Sequence, residues 1–359
     1  MGAGIRRQTC EDNRIEYAEF SSSNPRSQIL SGTRRTLNED RMPKTGSIVR
    51  ILFRIGAGLS LCLVTAELVL RLAIGLGNPV LITPDFEAGY ILKPNQDVVR
   101  FFCRSRIDRN GMRSDPFNGT PAPDTLRILF VGDSITYGTT RVDQKDIFTE
   151  ILHRNLAKVV HKPVEILNAS AGGWAIDNEV SYVHSRGIFG AQKVVLVLNS
   201  GDAGQPRSRI EGVGDDLPSV LPASALEELW SRFLAQRLHL KATKVDSGDV
   251  SLDDSQQIRA NLNELEELLK LVSSHGAELA IVYIPFRKDI PTPNAKFDGL
   301  LQTWANAHRV PFIDTTSTLT AHAPNEVCLR DNTHLNKLGH QLVAQEIERQ
   351  WPAKIGTDQ

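Results

Sequence analysis

The stretch ILFVGDSITYG, residues 128–138, joins a short apolar run to the tripeptide Gly-Asp-Ser. Because residues 128–131 are apolar and partly β-branched, they predict a buried strand of a parallel sheet. Gly132 permits a tight exit from that strand, and Asp133 and Ser134 are favoured helix-starting residues. Open α/β sheets bind ligands at the carboxyl ends of their strands, so this position suits a reactive serine. The alternative is that Ser134 only caps the helix.

Strand and helix patterns alternate along the rest of the chain. Further strands are predicted at residues 163–170, 193–202, 278–285 and 310–316. The clearest helical patterns cover residues 255–276 and the final segment, residues 337–351. Such alternation predicts an α/β fold in which helices cover both faces of a parallel sheet. Residues 205–254 have the least regular pattern, which predicts an insertion. Within this insertion, residues 223–240 are predicted to form a helix.

Composition narrows the class of protein. The 359 residues allow one large domain or two smaller ones, and 41% of them are hydrophobic. A formal net charge of -1 argues against a nucleic-acid-binding protein, which usually has a basic surplus. The four cysteines show no paired metal-ligand spacing, which argues against a structural zinc site.

The first part of the chain differs in character from the rest. Residues 1–46 are polar and aperiodic, which predicts disorder. Met42 precedes a basic lead-in to an apolar run, so a start at Met42 rather than Met1 is the alternative. The extension at residues 78–123 contains prolines and short strand patterns, and we expect it to pack on the main domain.

The apolar run at residues 51–77 predicts a single transmembrane anchor, because about 20 residues span a bilayer. Glu67 and Arg71 interrupt it at i,i+4 spacing, where they can pair. Basic residues before the run favour a cytoplasmic N-terminus and an exported body: Arg41, Lys44, Arg50 and Arg54. A cleaved signal peptide and a buried soluble helix are the alternatives.

A second motif, CLRDNTHLNKLGH at residues 328–340, places Asp331 and His334 three residues apart just before the last helix. A serine hydroxyl is a weak nucleophile until a base removes its proton, and imidazole titrates in the required range. A carboxylate on the second ring nitrogen fixes the tautomer. Ser134, His334 and Asp331 therefore form a candidate catalytic triad.

Gly132-Asp133-Ser134 followed by Asp331-x-x-His334 resembles the SGNH (GDSL) hydrolases, over about residues 124–352. The resemblance implies a flavodoxin-like three-layer α/β/α sandwich. It also implies an esterase, lipase, thioesterase, deacetylase or acyltransferase, with Ser134 as nucleophile, His334 as base and Asp331 as the orienting carboxylate. A looser resemblance links AELVLRL (66–72), GYILKPN (89–95) and RNGMR (109–113) to a bacterial subgroup with a single anchor.

Two further family blocks concern the oxyanion hole. NASAGGW, residues 168–174, matches the second block, so Gly173, beside Gly172, would donate a backbone N–H together with that of Ser134. The third block usually carries Asn directly before Asp, but this chain has Gly201 before Asp202. Asn199 lies two residues earlier, so either Asn199 reaches the site or backbone groups serve alone.

The combined features predict a membrane-anchored serine esterase that hydrolyses an acyl ester, and its exported position suggests O-acetyl groups on a cell-surface glycan. An O-acyltransferase and a catalytically weak acyl-glycan-binding protein are the alternatives. The predicted location is the inner membrane, single-pass, with the catalytic domain on the periplasmic side. No metal, organic cofactor or nucleic-acid partner is implied, and the oligomeric state stays open.

Cys103 and Cys328 both follow the predicted anchor, so export would place them in an oxidising compartment. A disulfide between them would tie the extension to the loop that carries Asp331 and His334. The alternative is that both are buried thiols.

Overall fold

The computed structural model of the protein describes residues 45–209, 218–235, 254–286, 299–331 and 333–354. Nearly all of the predicted tail, residues 1–46, lies outside the described residues. The chain divides into two units, Met1–Gly56 and Ala57–Gln359. Of the first unit, the structure describes only the beginning of helix α1 (Thr45–Val69).

Helix α1 continues as a π-helical segment, Leu70–Ile74. Residues Gly46–Ile74 are long and apolar enough to cross a membrane, with a mean hydropathy of 1.9 and no buried residue in that apolar window. Within this helix Arg71 Nε lies 2.5 Å from Glu67 Oε1, so the predicted i,i+4 pair is present.

The extension forms two antiparallel hairpins, as its short strand patterns predict. Strands β1 (Ile82–Asp85) and β2 (Gly89–Leu92) make the first, and β3 (Gln96–Arg100) and β4 (Cys103–Ile107) make the second. The extension is not a loose linker, because many of its apolar side chains, such as Tyr90 and Met112, belong to the main hydrophobic core.

Five parallel strands form the central sheet in the order β6-β5-β7-β8-β9. They are β5 (Leu126–Gly132), β6 (Val164–Ser170), β7 (Lys193–Asn199), β8 (Glu278–Ile284) and β9 (Phe312–Asp314). Near-continuous apolar runs form these strands because both faces of the sheet are covered. The strand order reverses between β5 and β7, and the carboxyl ends of these two strands form the crevice where doubly wound folds bind ligands.

Helices cover both faces of the sheet, which confirms the predicted three-layer α/β/α sandwich. The helices that follow α1 are α2 (Ser134–Tyr137), α3 (Phe148–Val159), α4 (Ile176–Arg186), α5 (Ala225–Glu228, π-helical over Leu229–Leu234), α6 (Asp254–Ser274), α7 (Leu300–His308), α8 (Thr316–Thr320), α9 (Pro324–Val327) and α10 (Lys337–Lys354). One core cluster joins the sheet to α4, α6 and α7 through residues such as Val180, Leu268 and Trp304. The other joins it to α3 and α10 through Leu152 and Val343.

Of the two alternatives for Cys103 and Cys328, the structure has no disulfide: the thiol of Cys328 is buried as expected, whereas Cys103 is only partly buried. The Sγ atom of Cys103 donates to the carbonyl oxygen of Arg141 at 3.4 Å. Cys328 is buried in the α3–α10 cluster, where its backbone forms an isolated bridge with Leu335. The two cysteines therefore lie in separate parts of the structure.

Candidate active site

Ser134 lies just after the carboxyl end of strand β5, at the point where the strand order of the sheet reverses. Gly132 must be glycine, because a Cβ there would collide with the side chain of Thr136. Asp133 is the N-cap of α2, and its Oδ1 accepts the N–H of Ile135 at 2.8 Å. Ser134 is then the first residue of this single-turn helix and is half-buried. The tight turn thus exposes the serine while fixing the backbone on both sides of it.

The loop before α10 holds Asp331 and His334 against each other. His334 Nδ1 lies 2.9 Å from Asp331 Oδ2, and the His334 backbone N–H donates to Asp331 Oδ1 at 3.0 Å. Partial burial opposes ionisation, but the hydrogen bonds from His334 and from the Thr333 N–H hold the pKa of Asp331 well below its usual range. The carboxylate is therefore charged near neutral pH and suited to orient the imidazole.

His334 lies near the turn that carries Ser134. Burial raises the pKa of Asp133 to about 6, while the hydrogen bond from the Ile135 N–H and the electrostatic interaction with His334 act in the opposite direction. Asp133 directly precedes Ser134, so His334 acts electrostatically on the turn that carries Ser134. Within the described residues, no hydrogen bond joins the Ser134 hydroxyl to His334. Catalytic hydrogen bonds of ligand-free enzymes often tighten only when substrate binds.

Two backbone N–H groups at the site have no hydrogen-bond acceptor among the described residues: those of Ser134 and Gly173. Gly173 has φ +80°, and a Cβ there would lie 3.2 Å from Tyr90 Oη. Tyr90 Oη in turn donates to the carbonyl oxygen of Gly172 at 2.8 Å, which fixes this turn. Preorganised N–H groups of this kind can stabilise a developing oxyanion.

Asn199 ends strand β7 and bridges two buried carboxyl groups. Its Nδ2 donates to Asp133 Oδ2 at 3.1 Å and to Asp202 Oδ1 at 2.7 Å. Its Oδ1 accepts the N–H of Gly201 at 2.7 Å. Because both amide donors are engaged, donation to an oxyanion would require one of these bonds to break. The role predicted for Asn199 in the oxyanion hole stays a prediction.

We expect Asn199→Ala to lower the free energy of unfolding by about 1–3 kcal/mol, because Asp133 and Asp202 lose a buried donor. We also expect a lower kcat, since Asp133 caps the helix of Ser134. Denaturant unfolding and steady-state kinetics measure the two effects. A kcat reduced about 10²–10³-fold with unchanged stability and KM would instead assign Asn199 to the oxyanion hole.

A third carboxyl, Glu179 on α4, lies in the same buried neighbourhood. It is fully buried, and neither of its oxygens has a hydrogen-bond partner among the described residues. Burial, together with the charges of Asp202 and Asp133, raises the pKa of Glu179 well above its usual value. Burial and the charge of Asp133 do the same to Asp202. The cluster of Asp133, Glu179 and Asp202 therefore retains protons at pH values where exposed carboxyls are charged.

Because of this cluster, we expect the free energy of unfolding to fall as the pH rises from 5 to 8. A carboxyl with a raised pKa binds its proton more tightly in the folded chain, so its contribution is fully present below the unfolded pKa of about 4 and is lost progressively as the pH rises from there through the raised folded pKa. Asp331, with its lowered pKa, has the opposite sign but titrates below this window.

Glu179→Gln cannot titrate, so we expect a smaller loss of stability between pH 5 and pH 8. The variant should match the parent protein near pH 5 and exceed it at pH 8. Urea unfolding at both pH values measures the difference. An unchanged pH dependence would show that Glu179 is already ionised in the folded protein.

Among the described residues, one cluster of potential metal ligands brings its donor atoms within 4.8 Å of one another: Asp115, Glu150 and His153. Asp115 pairs with Arg106, and Glu150 accepts a hydrogen bond from Gln144 at 3.0 Å. The carboxyl groups of Asp115 and Glu150 thus have partners already.

Sequence reasoning missed the supporting residues Tyr90, Glu179 and Arg113, whose buried guanidinium donates to the carbonyl oxygens of Tyr137 and Thr139. Tyr90 and Arg113 lie within the GYILKPN and RNGMR stretches, which the looser resemblance singled out without giving either residue a role. Glu179 carries no such signal, because an acidic residue in an amphipathic helix usually faces solvent.

Comparison with known proteins gives a family match that spans these residues. The sequence profile of the GDSL-like lipase/acylhydrolase family matches residues 130–342. This range includes Ser134, Gly173, Asn199, Asp331 and His334. No curated protein matches the chain.

Solved structures with similar folds include three esterase-type proteins. A lipolytic protein of the G-D-S-L family from Veillonella parvula DSM 2008 has 15% identity and a TM-score of 0.39, covering 63% of this chain and 97% of its own. A lipase/acylhydrolase from Enterococcus faecalis has 16% identity and a TM-score of 0.42, covering 64% and 96%. A two-domain esterase active on acetylated mannans has 16% identity and a TM-score of 0.40, covering 63% and 48%.

Proposed function

The chain belongs to the GDSL-like lipase/acylhydrolase family and hydrolyses ester bonds, and we propose that Ser134, His334 and Asp331 are its catalytic triad. The observation that carries the proposal is the 2.9 Å contact between His334 Nδ1 and Asp331 Oδ2 beside the turn of Ser134. A carboxylate on Nδ1 leaves Nε2 of the same ring to accept a proton from the serine hydroxyl.

In the proposed reaction, the Ser134 Oγ atom attacks the ester carbonyl carbon while His334 Nε2 takes the hydroxyl proton. The resulting imidazolium is stabilised by Asp331, whose low pKa keeps it charged. His334 then returns the proton to the departing alcohol, which leaves an acyl group on Ser134. Water, deprotonated by the same imidazole, attacks the acyl-serine and releases the acid.

The N–H groups of Ser134 and Gly173 would hold the carbonyl oxygen as it becomes negative. Both are fixed by their surroundings, the first by the capped α2 turn and the second by the left-handed turn under Tyr90. Each preorganised donor of this kind matters, because removing one typically lowers kcat by about 10²–10³-fold.

We further propose that the enzyme is anchored by its apolar helix in the inner membrane, with the catalytic domain on the periplasmic side. The length and apolar character of Gly46–Ile74 support an anchor, and the basic residues before it support this orientation. An exported, surface-tethered esterase fits an O-acyl group on a cell-surface glycan as its substrate.

A panel of chromogenic esters of increasing acyl length tests this function on the full-length protein. We expect turnover of short acyl esters and a burst of alcohol release that equals the amount of enzyme, because the acyl group accumulates on Ser134.

Retention of the protein in membranes after alkaline washing, and its digestion by protease only from the periplasmic side, test the anchor and its orientation.

A catalytically weak acyl-glycan-binding protein is the second candidate, and the engagement of both Asn199 amide donors by carboxylates favours it. Binding of an acetylated oligosaccharide without a burst or turnover would support this candidate over the esterase. Transfer of the acyl group to an added sugar, at the expense of hydrolysis, would identify an acyltransferase.

A further inference from the structure

The chain passes from the apolar helix directly into the hydrophobic core. Gly75 ends the helix in a left-handed conformation, and the next apolar residues, Leu76 and Val80, are already buried. The carbonyl oxygen of Ile74 accepts the N–H of Phe101 at 2.7 Å, so the tip of the β3–β4 hairpin lies against the helix end. No slack segment separates this end of the helix from the folded domain.

Helix α5 is attached to the side of the same helix. Glu67 accepts the backbone N–H groups of Ala225 and Leu226, each at 2.9 Å, and so caps the N-terminus of α5. One turn further along α5, the buried Glu228 pairs with Arg100 at 2.6 Å. Glu67 precedes Ile74 by about 10 Å along the helix axis, so α5 begins beside the helix rather than beyond its end.

Large apolar side chains are exposed on the elements that meet here. Leu72 is 84% exposed, Phe102 at the hairpin tip is 82% exposed, and Trp230 on α5 is 53% exposed. Leu234 lies one turn beyond Trp230 and is also exposed. We call these four residues, Leu72, Phe102, Trp230 and Leu234, the apolar foot.

The hairpin tip carries a second, independent sign of function. Phe101 and Phe102 occupy consecutive left-handed positions, with φ 51° and 63°. Two-residue hairpin turns of this kind strongly favour Asn-Gly, and bulky residues there are strained. Phe101 packs edge-on against Phe233 with ring centroids 6.1 Å apart, whereas the ring of Phe102 faces outward. Strained backbone positions persist mainly at functional sites, and here the strained residue presents its aromatic ring to solvent.

We propose that the apolar foot inserts into the interfacial layer of the same bilayer that the helix spans, so that the catalytic domain sits directly on the membrane. The proposal rests on the membrane anchor proposed above. The apolar span Gly46–Ile74 measures about 43 Å, close to the roughly 40–45 Å thickness of a bilayer with its headgroup layers, so its last turns, with Leu72 and the attached α5, reach the level of the interfacial layer. Aromatic residues concentrate at this boundary because their rings are amphipathic. The substrate would then be an acylated molecule presented at the membrane surface.

Trp230 provides a direct test, because it is exposed whereas Trp174, Trp304 and Trp351 are buried. The full-length protein is reconstituted in phosphatidylcholine vesicles whose acyl chains carry bromine, a short-range quencher of tryptophan fluorescence. We expect quenching in the parent protein and its loss in Trp230→Phe.

Phe102→Gly should reduce the quenching while leaving the melting temperature in detergent equal or higher, because glycine adopts the left-handed turn without strain. Phe86→Ser, at an equally exposed phenylalanine on the β1–β2 turn, is the matched control and should leave the quenching unchanged.

Alkaline washing separates failure of this inference from failure of the anchor. Retention in the vesicles without quenching of Trp230 would overturn the inserted foot and leave the anchor intact. Release from the vesicles would overturn the anchor and the foot together. Cross-links between the α5 segments of two copies, found without bromine quenching, would overturn the lipid contact. They would show instead that a second copy of the chain covers the apolar foot.

Discussion

Ser134→Ala is expected to abolish ester turnover, with a loss of roughly 10⁵–10⁶-fold in kcat, the scale seen when a triad serine is removed. The variant should remain folded, because alanine keeps the backbone of α2 and the Asp133 cap needs only the N–H of Ile135. Steady-state kinetics with a chromogenic acetyl ester, together with circular dichroism, measure the two properties.

His334→Ala should be nearly as severe, and Asp331→Asn should lose about 10⁴-fold, because an amide no longer selects the useful tautomer of the imidazole. Thr333→Ser is the matched control on the same loop, since it keeps the backbone N–H that contacts Asp331. Full turnover in Ser134→Ala or His334→Ala would rule out the proposed triad.

Arg113→Lys is expected to destabilise the protein by about 3–5 kcal/mol, although the charge is kept. The guanidinium is completely buried, and its five N–H groups reach backbone or side-chain oxygens. Nη1 donates to the carbonyls of Tyr137 and Thr139 at 2.7 and 2.6 Å, and Nη2 donates to that of Val142 at 2.7 Å. Lysine has neither the number nor the planar arrangement of donors to replace them.

This arginine connects the extension to the loop that follows α2, so we expect turnover to fall along with stability. Denaturant unfolding of the detergent-solubilised full-length protein measures the change. Arg104→Lys, at an exposed arginine that pairs with Asp97 across the β3–β4 hairpin, is the control and should leave the stability nearly unchanged. Equal effects of the two substitutions would contradict the role assigned to Arg113.

The local pattern of the sequence was sufficient to predict the strands and the layered α/β fold. Runs such as residues 128–131 and 193–199 are apolar over their whole length, and this property belongs to each segment by itself. The positions of Ser134 after a strand and of Asp331 and His334 before the last helix were equally readable. These features depend on neighbours in the chain, so no distant contact had to be known.

Contacts between distant segments were decided only by the tertiary structure. The carboxyl group of Asp331 contacts His334 within one loop. Asn199, at the end of β7, instead contacts Asp133 at the end of the neighbouring strand β5, and its amide group donates to that carboxyl group. Glu179 is buried beside the same carboxyls, and Cys103 and Cys328 occupy separate environments. A hydrogen-bond partner depends on which strands become neighbours, and the order β6-β5-β7-β8-β9 is set by packing of the whole domain rather than by the periodicity of any one segment.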